Sequence, residues 1–450
     1  MKNVYFIGIG GIGMSAIARY FKHAGYCVSG YDRTPSKLTA ALESEGIEVH
    51  YEERPDLLPK DVEETLVIYT PAIPAEMKEL VEVFEKGYRV VKRSRALGEI
   101  ASQQKCLAIS GTHGKTTTST LLAHILTHSG EGCNAFLGGI SKNYHTNLLL
   151  SRNPVLVAEA DEFDRSFLQL FPDIAAITSC DADHLDIYSD HDHVKGAFRE
   201  FASQVKGALV VKKGVEITFD TKADIYTYSY NEEADFYASD IKLDECGYFH
   251  FTLNSPMGPI EECTVGIPGW VNVENGIAAA AVALLHGTSP EDVKRGLATY
   301  KGVERRFDIH LNTPKCSYID DYAHHPKEIS AAISSIRDIF PGRRLCAIFQ
   351  PHLYTRTRDF YQEFAQSLSA LDELILLPIY PARELPIEGV NSEMIFDLVT
   401  TENKKIVSKE DLLKELESRD IDILITLGAG DISTFTDPIT ELLKERVGQC

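Results

Sequence analysis

The most informative segment of the sequence is Leu107-Ala108-Ile109-Ser110-Gly111-Thr112-His113-Gly114-Lys115-Thr116-Thr117-Thr118. Its apolar first part predicts a buried strand, and the apolar repeat that follows predicts a helix. The turn between them contains two glycines, which let backbone N–H groups point at a polyphosphate, while the helix N-terminus favours an anion. We therefore predict a strand, a phosphate-binding loop and a helix.

The loop has the short spacing Gly-x-x-Gly-Lys-Thr, because Ile109 stands where the longer motif has its first glycine. Lys115 is expected to reach the outer phosphates, and the Thr116 hydroxyl is expected to bind a magnesium ion. The alternative is a plain strand-to-helix turn, which leaves the Gly-Lys-Thr-Thr sequence unexplained.

The composition is that of a globular protein with several domains. A chain of 450 residues is long enough for about two to four domains. A formal net charge of −21 argues against nucleic-acid binding, which needs clustered lysines and arginines. Nine cysteines show no metal-type or disulfide-framework spacing, and no signal peptide or apolar run of ~20 residues is present. We expect a cytoplasmic protein with reduced thiols and no membrane insertion.

A second glycine-rich turn lies near the start of the chain. Residues 3–7 predict a strand that runs into Gly8-Ile9-Gly10-Gly11-Ile12-Gly13-Met14-Ser15, and a second strand ends near Asp32. This is the Gly-x-Gly-x-x-Gly fingerprint of a dinucleotide site. A nicotinamide dehydrogenase would leave the later phosphate loop without a purpose. We therefore expect a nucleotide-linked substrate at the first turn and ATP at the second.

Acidic residues follow an apolar strand in the central part. Residues 155–158 lead to Glu159, which the carboxyl end of a parallel strand would place at a ligand site. Glu162 and Asp164 are expected to lie in a solvated acidic turn.

Further along, residues 174–178 predict another strand, and His184 follows it among acidic residues. Such a histidine suits metal coordination or proton transfer, and a capped helix start is the alternative. Residues 208–265 predict antiparallel strands that extend the main sheet. Asn275 lies near the start of a small-residue helix, where it either caps the helix or faces the nucleotide.

The last third of the chain predicts another doubly wound domain. It begins with Arg305 and Arg306, which suit a phosphate clamp or form a plain surface pair. Four predicted strands then each end in polar residues, which predicts one ligand cleft at their carboxyl edge. The strands are 317–319, 345–349, 374–378 and 423–427, and the polar clusters are 320–326, 350–358, 379–384 and 428–431.

Taken together, the motifs resemble the Mur ligases. They are Gly111-Thr-His-Gly-Lys-Thr-Thr117, Glu159-Ala-Asp-Glu162, Asp183-His184-Leu-Asp186, Val303-Glu-Arg-Arg-Phe307, Asp320-Asp-Tyr-Ala-His-His-Pro326 and Gly428-Ala-Gly-Asp431. The match covers essentially the whole chain. It implies an α/β fold of three domains: a Rossmann-like UDP-binding domain at 1–98, a P-loop ATPase domain with a parallel sheet at 99–301, and a Rossmann-like amino-acid-binding domain at 302–450.

The resemblance also implies an activity in peptidoglycan precursor synthesis. The opening glycine-rich turn resembles the branch that adds alanine, so the expected substrates are UDP-N-acetylmuramate, L-alanine and ATP, with Mg²⁺ or Mn²⁺. The γ-phosphoryl group of ATP would pass to the lactyl carboxylate, and the alanine amine would attack the acyl phosphate. A monomer or weak homodimer is expected.

Residue roles follow from the resemblance. The implied ATP-binding residues are Gly111, Thr112, His113, Gly114, Lys115, Thr116, Thr117, Asn275 and Asp321. The implied UDP-substrate residues are Gly8, Gly10, Gly11, Gly13, Met14, Ser15 and Asp32. The implied metal ligands are Thr116, Glu159 and His184. The implied catalytic residues are Lys115, His184, Arg306, His324, His352 and Arg356, of which the last three would meet the alanine carboxylate or the sugar.

Two positions depart from the family pattern. Several Mur ligases carry a carbamylated lysine in the register of Phe198, with Lys195 nearly a helical turn away, so we predict no modified lysine and a second metal site with fewer protein ligands. Leu353 stands where alanine-adding members tend to have an arginine.

Other functions account for less of the sequence. A recycling ligase that attaches a tripeptide to the same nucleotide shares the ATP chemistry, and the glycine-rich opening argues against it. A folylpolyglutamate synthase is not expected to have such an opening domain. A non-catalytic nucleotide sensor would not explain the histidine and arginine clusters of the last third.

Overall fold

The computed structural model describes residues 1–181, 191–245, 247–382 and 384–448. They form three β-sheets with connecting helices. The chain divides into two compact units. The first unit comprises residues 1–241, 250–266 and 272–301, and the second comprises residues 242–249, 267–271 and 302–450.

The first sheet is parallel and has the strand order β3-β2-β1-β4-β5. Because the order reverses beside β1, the carboxyl end of β1 is the place where such a sheet binds a ligand. The strands are β1 Asn3–Ile7, β2 Cys27–Tyr31, β3 Glu48–His50, β4 Thr65–Tyr69 and β5 Arg89–Lys92, and the helices are α1 Ile12–His23, α2 Lys37–Ser44, α3 Lys78–Glu85 and α4 Arg93–Ala101.

The second sheet has ten strands in the order β15-β14-β13-β12-β11-β10-β6-β9-β7-β8. Its strands are β6 Lys105–Ser110, β7 Asn134–Ser141, β8 Thr146–Leu149, β9 Val155–Ala160, β10 Ile174–Ile177, β11 Ala208–Lys212, β12 Asp224–Ser229, β13 Phe236–Leu243, β14 Phe249–Asn254 and β15 Ile260–Thr264. Its helices are α5 Lys115–His128, α6 His191–Ser203, α7 Trp270–His286 and α8 Pro290–Thr299. The predicted strand, loop and helix around residue 111 are therefore β6, residues 111–114 and α5.

The prediction of antiparallel strands over residues 208–265 is wrong for its first half. β10 pairs with β11, β11 with β12, and β12 with β13, all in parallel. β14 and β15 are antiparallel, as predicted. The error arose because the Tyr, Thr and Val content of these strands favours a sheet without specifying strand direction.

The third sheet has the order β16-β17-β21-β18-β19-β20, and β16 is its antiparallel edge strand. The strands are β16 Asp308–Asn312, β17 Ser317–Asp321, β18 Leu345–Phe349, β19 Glu373–Leu376, β20 Asn403–Ile406 and β21 Ile423–Leu427. The helices are α9 Pro326–Ile339, α10 Tyr354–Leu368, α11 Glu393–Phe396, α12 Leu412–Glu417 and α13 Thr436–Gly448. The four predicted strands are β17, β18, β19 and β21.

The third sheet is buried on both faces. Alternate residues of its central strands belong to two apolar clusters, one with Ile319, Ala347 and Ile425 and the other with Tyr318 and Leu424. Both clusters include residues of the connecting helices, so the sheet is covered on each side, as expected of a parallel α/β domain. The predicted three-domain α/β fold is confirmed, with one sheet in each domain and the first two sheets mainly in the first compact unit.

The structure bears on two further expectations. The described cysteines are free thiols. Within the described residues, no helix has both the length and the apolar character required to cross a membrane.

Candidate active site

The glycine-rich turn after β1 is shaped by Asp32 at the end of β2. Gly8 has a φ of 89°, a conformation that favours glycine. The Gly10 N–H donates to Asp32 Oδ2 at 2.7 Å, and the Thr34 N–H donates to Asp32 Oδ1 at 3.2 Å. Gly11 forms the N-cap of α1 without a side-chain hydrogen bond. The loop therefore leads into a helix N-terminus, and Asp32 holds its backbone.

Met14 and Ser15 have buried side chains in the first turn of α1. Met14 packs in the apolar core of the first unit. The Ser15 hydroxyl donates to Ile12 O at 2.9 Å and accepts from Asn147 Nδ2 at 2.9 Å. These side chains therefore support the loop through core packing and hydrogen bonds.

Arg93, the first residue of α4, lies against the same loop. A Cβ atom at Gly13 would lie 3.0 Å from Arg93 Nη1, so the glycine leaves the space that the guanidinium occupies. Arg93 Nη2 lies 3.4 Å from Asp161 Oδ2, just after β9. The guanidinium thus connects the glycine-rich loop with the acidic segment of the second sheet. Sequence reasoning did not select Arg93, because it belongs to none of the motifs.

The phosphate loop uses both of its glycines. Gly111 and Gly114 have φ values of 134° and 82°. Side chains at these positions would collide with Thr178 and with the Asn275 side-chain oxygen. The loop can adopt its observed path only with glycine at both positions.

The segment that follows β10 supports the phosphate loop. Thr112 Oγ1 and Ser179 Oγ are hydrogen-bonded at 2.9 Å, and the His113 N–H donates to Ser179 Oγ at 2.7 Å. The Asp181 N–H donates to Thr112 Oγ1 at 3.0 Å, and His113 Nε2 lies 3.5 Å from Asp181 Oδ2. Thr112 and His113 are therefore held by side chains of the neighbouring loop. Sequence reasoning gave Ser179 no role, because hydroxyl contacts of this kind leave no spacing pattern.

Lys115 folds back over the phosphate loop. Its Nζ donates to Gly111 O at 2.6 Å and to Glu162 Oε1 at 2.9 Å, and Glu162 Oε2 is 2.8 Å away. Burial acts to lower the pKa of Lys115, but Glu162, Asp161 and Glu159 outweigh it and raise the pKa above its ordinary value. Lys115 is therefore a fixed positive charge at the loop.

The prediction that Glu162 lies in a solvated acidic turn is wrong. Its side chain is only 1% exposed and both carboxylate oxygens face the Lys115 ammonium. A buried carboxylate is stable beside a cation, which explains its position. Asp164 is partly exposed and pairs with Lys92 Nζ at 2.9 Å.

Two of the three predicted metal ligands lie in the described residues. Ile109 and Glu159 are paired in the parallel β6–β9 register, so Glu159 lies beside the strand that enters the phosphate loop. Thr116 is buried in the first turn of α5. His184 lies outside the described residues, and the described ones contain no group of three or more His, Cys, Asp and Glu side chains able to hold a metal. A hydroxyl and a carboxylate are hard oxygen donors, so this pair fits Mg²⁺.

Three other positions named from the sequence have clear contacts in the first unit. Asn275 lies in the second turn of α7 and does not cap it; the Thr118 hydroxyl donates to its side-chain oxygen at 3.3 Å. Asn275 therefore contacts the phosphate-loop helix. Thr117 is buried, and its backbone oxygen accepts from the Tyr300 hydroxyl at 3.3 Å. Phe198 is fully buried and packs edge-on against Phe167, so its position faces the core.

In the second unit, Asp321 organises the turn that carries the two arginines. Its Oδ2 accepts from the Phe307 N–H and its Oδ1 from the Ala323 N–H, both at 2.7 Å. Arg305 and Phe307 have positive φ values of 62° and 49°, so the turn is strained. Burial raises the pKa of Asp321 to about 6, with Arg306 partly opposing the shift.

The two arginines of this turn differ in their contacts. Arg305 Nη2 donates to Gly428 O at 2.6 Å, and Arg305 Nε lies 3.4 Å from Asp320 Oδ2, so this guanidinium links β17 to the segment after β21. Both guanidinium groups lie over the Tyr322 ring, at 5.0 Å from its centroid for Arg305 and 4.7 Å for Arg306, and Arg305 alone has the two polar contacts just described. The structure therefore gives Arg305 a structural role and leaves Arg306 as the candidate for substrate.

The predicted histidines meet at the carboxyl edge of the third sheet. The His324 and His352 ring centroids are 5.9 Å apart. His324 Nδ1 is 2.9 Å from Tyr322 O, and its ring lies edge-on to the Tyr322 ring. Arg356 is 8% exposed in the first turn of α10, four residues after His352. The loops after β17 and β18 thus bring His324 and His352 together, and Arg356 lies in the helix that follows the second of these loops.

Gln350 and Asp431 join two of the predicted polar clusters. Gln350 Nε2 donates to Asp431 Oδ1 at 2.7 Å, and the Ile432 N–H donates to Gln350 Oε1 at 2.9 Å. Lys409 Nζ lies 2.6 Å from Asp431 Oδ2. The cluster 428–431 therefore supports the cluster 350–358 beside it.

Three family models match the chain along its length. The Mur ligase family, catalytic domain matches residues 3–105, the Mur ligase middle domain matches residues 109–283, and the Mur ligase, glutamate ligase domain matches residues 305–430. The chain belongs to the Mur ligase family. The two glycine-rich loops lie within the first and second matches, and the third match contains His324, His352 and Arg356.

Relatives within the Mur ligase family match over full length. A UDP-N-acetylmuramate--L-alanine ligase of Porphyromonas gingivalis is 51% identical, over 99% of both chains. One of Flavobacterium psychrophilum is 49% identical, also over 99% of both. The solved UDP-N-acetylmuramate-alanine ligase of Thermotoga maritima has a TM-score of 0.84 at 27% identity, covering 99% of this chain and 100% of that one.

A murein peptide ligase of Psychrobacter arcticus has the same fold. Its TM-score is 0.72 at 20% identity, over 98% of this chain and 99% of that one. At this identity the likeness concerns the fold alone.

Proposed function

We propose that this Mur ligase joins L-alanine to the lactyl carboxylate of UDP-N-acetylmuramate, using ATP. The observation that carries the proposal is a pair of glycine-built anion loops in one compact unit, one before α1 and one before α5. Two loops of this kind suit two nucleotides, and the full-length relatives are named as alanine ligases of this nucleotide sugar.

In this proposal the phosphate loop binds ATP. Lys115 supplies positive charge to the transferred γ-phosphoryl group, whose movement between two anionic partners requires it. ATP must draw the Lys115 ammonium away from Glu162, since both oxygens of Glu162 now face it. Thr116, Glu159 and His184 would hold Mg²⁺, which neutralises phosphate charge when bound.

The nucleotide sugar belongs to the loop that contains Gly8, Gly10, Gly11 and Gly13. The N-terminus of α1 and the Arg93 guanidinium offer positive charge to a pyrophosphate there. ATP converts the lactyl carboxylate into an acyl phosphate and leaves as ADP. This activation is needed because a carboxylate is a poor electrophile and phosphate is a good leaving group.

The amino acid belongs to the second unit. His324, His352 and Arg356 offer an imidazole pair and a guanidinium, which suit the carboxylate of alanine. The alanine amine attacks the acyl carbon, the amide bond forms, and inorganic phosphate is released. Arg306 adds positive charge for the phosphoryl group. We place the reaction in the cytoplasm, where ATP is available and thiols stay reduced.

The test is phosphate release together with product mass. Release should require UDP-N-acetylmuramate, L-alanine, ATP and Mg²⁺ together, and the product should be heavier than UDP-N-acetylmuramate by one alanine residue. A tripeptide in place of alanine should give no product. Product with the tripeptide only would identify a recycling ligase and reject the proposal.

A further inference from the structure

The loop that follows β19 holds Tyr380 against His352. Their ring centroids are 5.8 Å apart, with an angle of 20° between the ring planes. The Tyr380 N–H donates to Pro351 O at 2.8 Å, and the Leu353 N–H donates to Tyr380 O at 2.9 Å. These bonds make a parallel β-bridge that flanks His352 on both sides. Tyr380 therefore fixes both the backbone and one ring face of His352.

Gly430 makes room for the Tyr380 ring. A Cβ atom at Gly430 would lie 2.7 Å from Tyr380 Cβ and Cγ, so any side chain there would displace the tyrosine. The chain around Gly430 is held in turn by Gln350, which is 1% exposed and hydrogen-bonded to Asp431 and Ile432. Segments after β18, β19 and β21 thus converge on Tyr380.

The same loop also holds the first turn of α10. The Thr355 N–H donates to Glu384 Oε2 at 3.0 Å, and the Thr355 hydroxyl donates to the other carboxylate oxygen. Thr355 directly precedes Arg356. The loop after β19 therefore fixes the start of the helix that carries the candidate guanidinium.

Leu353, between His352 and α10, adopts a φ of 70°, which favours glycine. Strain of this kind persists where surrounding contacts impose it, and the Leu353 N–H is bonded to Tyr380 O. The Tyr380 backbone thus holds Leu353, which lies between His352 and Arg356 in the chain, in its strained conformation.

We propose that Tyr380 is a positioning residue for His352, and that Tyr380 and Glu384 form part of one wall of the site for a small α-amino acid. The inference rests on the proposed function, in which His352 and Arg356 meet the amino-acid carboxylate. A carboxylate that binds both His352 and Arg356 requires a fixed distance between these two side chains. The loop after β19 contacts His352 itself and Thr355, the residue before Arg356.

The test compares Tyr380→Leu with Tyr380→Phe in the full chain. The leucine variant should raise the KM for alanine about tenfold, through loss of the ring contact. Its KM values for ATP and UDP-N-acetylmuramate should stay within about twofold, because the two glycine-rich loops proposed to bind these substrates lie in the first unit. The phenylalanine variant keeps the ring and should restore the wild-type KM for alanine.

Tyr361→Leu is the matched control. Tyr361 packs against the core cluster that includes Ile319, and the same change there should leave the KM for alanine unchanged. Thermal unfolding of all three variants reports any general loss of structure. A Glu384→Ala variant, which removes the contact to Thr355, should also raise the KM for alanine selectively.

Two outcomes would overturn the inference. In the first, Tyr380→Leu leaves the KM for alanine unchanged. In the second, all three KM values rise together, as a purely structural role requires. Failure of the wild-type protein to ligate alanine would instead reject the proposed function, so the two failures are distinguishable.

Discussion

At the residue scale, Lys115 and Glu162 form a buried ion pair inside the phosphate loop. The side chains are 13% and 1% exposed, and both carboxylate oxygens lie within 2.9 Å of the ammonium. Removing one partner of such a pair leaves a buried charge without compensation. We therefore expect Lys115 to stabilise the folded loop through this ion pair, in addition to its proposed role in phosphate binding.

Lys115→Ala should abolish ATP-dependent phosphate release and also lower the free energy of unfolding by about 3 kcal/mol, because Glu162 loses its cation. The double variant Lys115→Ala/Glu162→Gln should regain most of that stability without regaining activity. Phosphate release and urea unfolding of both variants are the measurements.

Lys206→Ala is the control, since Lys206 is 59% exposed and pairs with Asp173 at 3.7 Å on the surface. It should match the wild-type protein in both measurements. Phosphate release by Lys115→Ala at the wild-type rate would contradict the role of Lys115.

The sequence predicts these residues unequally. Lys115 could be selected because Gly-Lys-Thr after an apolar strand places a cation at a helix N-terminus wherever it occurs. Glu162 and Arg93 could not, because their roles depend on partners 47 and 68 residues away in the chain. Tyr380 could not be selected either, because its contact with His352 depends on the pairing of β18 with β19.

At the element scale, α1 is fastened to the β7–β8 hairpin by Asn147. Asn147 is fully buried, and its Nδ2 donates to Ile12 O at 2.6 Å and to Ser15 Oγ at 2.9 Å. Its side-chain oxygen accepts from Arg19, which also pairs with Glu45 at 2.7 Å. The first turn after the glycine-rich loop is therefore held by an element of the second sheet.

Asn147→Ala should lower the free energy of unfolding by about 2 kcal/mol, because Ile12 O and Ser15 Oγ lose a buried donor. It should also raise the KM for UDP-N-acetylmuramate more than the KM for ATP, since α1 carries the first loop. Urea unfolding and steady-state kinetics measure the two effects. Asn231→Ala, at an exposed position, should change neither.

A different result would reject this assignment of α1. If Asn147→Ala is destabilised and both KM values rise equally, the contact serves the whole unit and not the first loop in particular.

Some features of the helices and strands could be predicted from the sequence, and others could not. β6 and α5 could be predicted because an apolar run, a glycine turn and a helical repeat follow one another directly. The directions of β11 and β12 could not, because pairing partners are set by the sheet and not by the strand's own residues.

At the scale of the whole molecule, the two units contain buried groups with opposite responses to acid. In the first unit, His124 is held between the Tyr144 hydroxyl and Thr299 Oγ1, both at 2.9 Å, and burial lowers its pKa to about 4. In the second, burial raises the pKa of Asp321 to about 6. His124 therefore binds fewer protons in the folded state than in the unfolded state, and Asp321 binds more.

Between about pH 4 and pH 6, His124 should therefore make the first unit more stable as the pH rises, and Asp321 should make the second unit less stable. Hydrogen exchange measured by mass spectrometry over this range reports each unit separately. Relative to the wild type, His124→Asn should flatten the rise in the first unit, and Asp321→Asn should flatten the fall in the second. Parallel pH dependence of wild type and variant would show that the group does not titrate as described.

The fastening of α1 by Asn147 has a consequence for which molecules can react. Because the first turn of α1 is bonded to the β7–β8 hairpin, we expect the two glycine-rich loops of the first unit to keep a constant distance from each other. Consider a nucleotide sugar whose carboxylate lies one bond nearer to its diphosphate, or one bond further from it. It would still bind, but its carboxylate oxygen would not be aligned with the triphosphate of ATP. In the proposed reaction, we therefore expect substrates to be selected by the distance between carboxylate and diphosphate, before the amino acid binds.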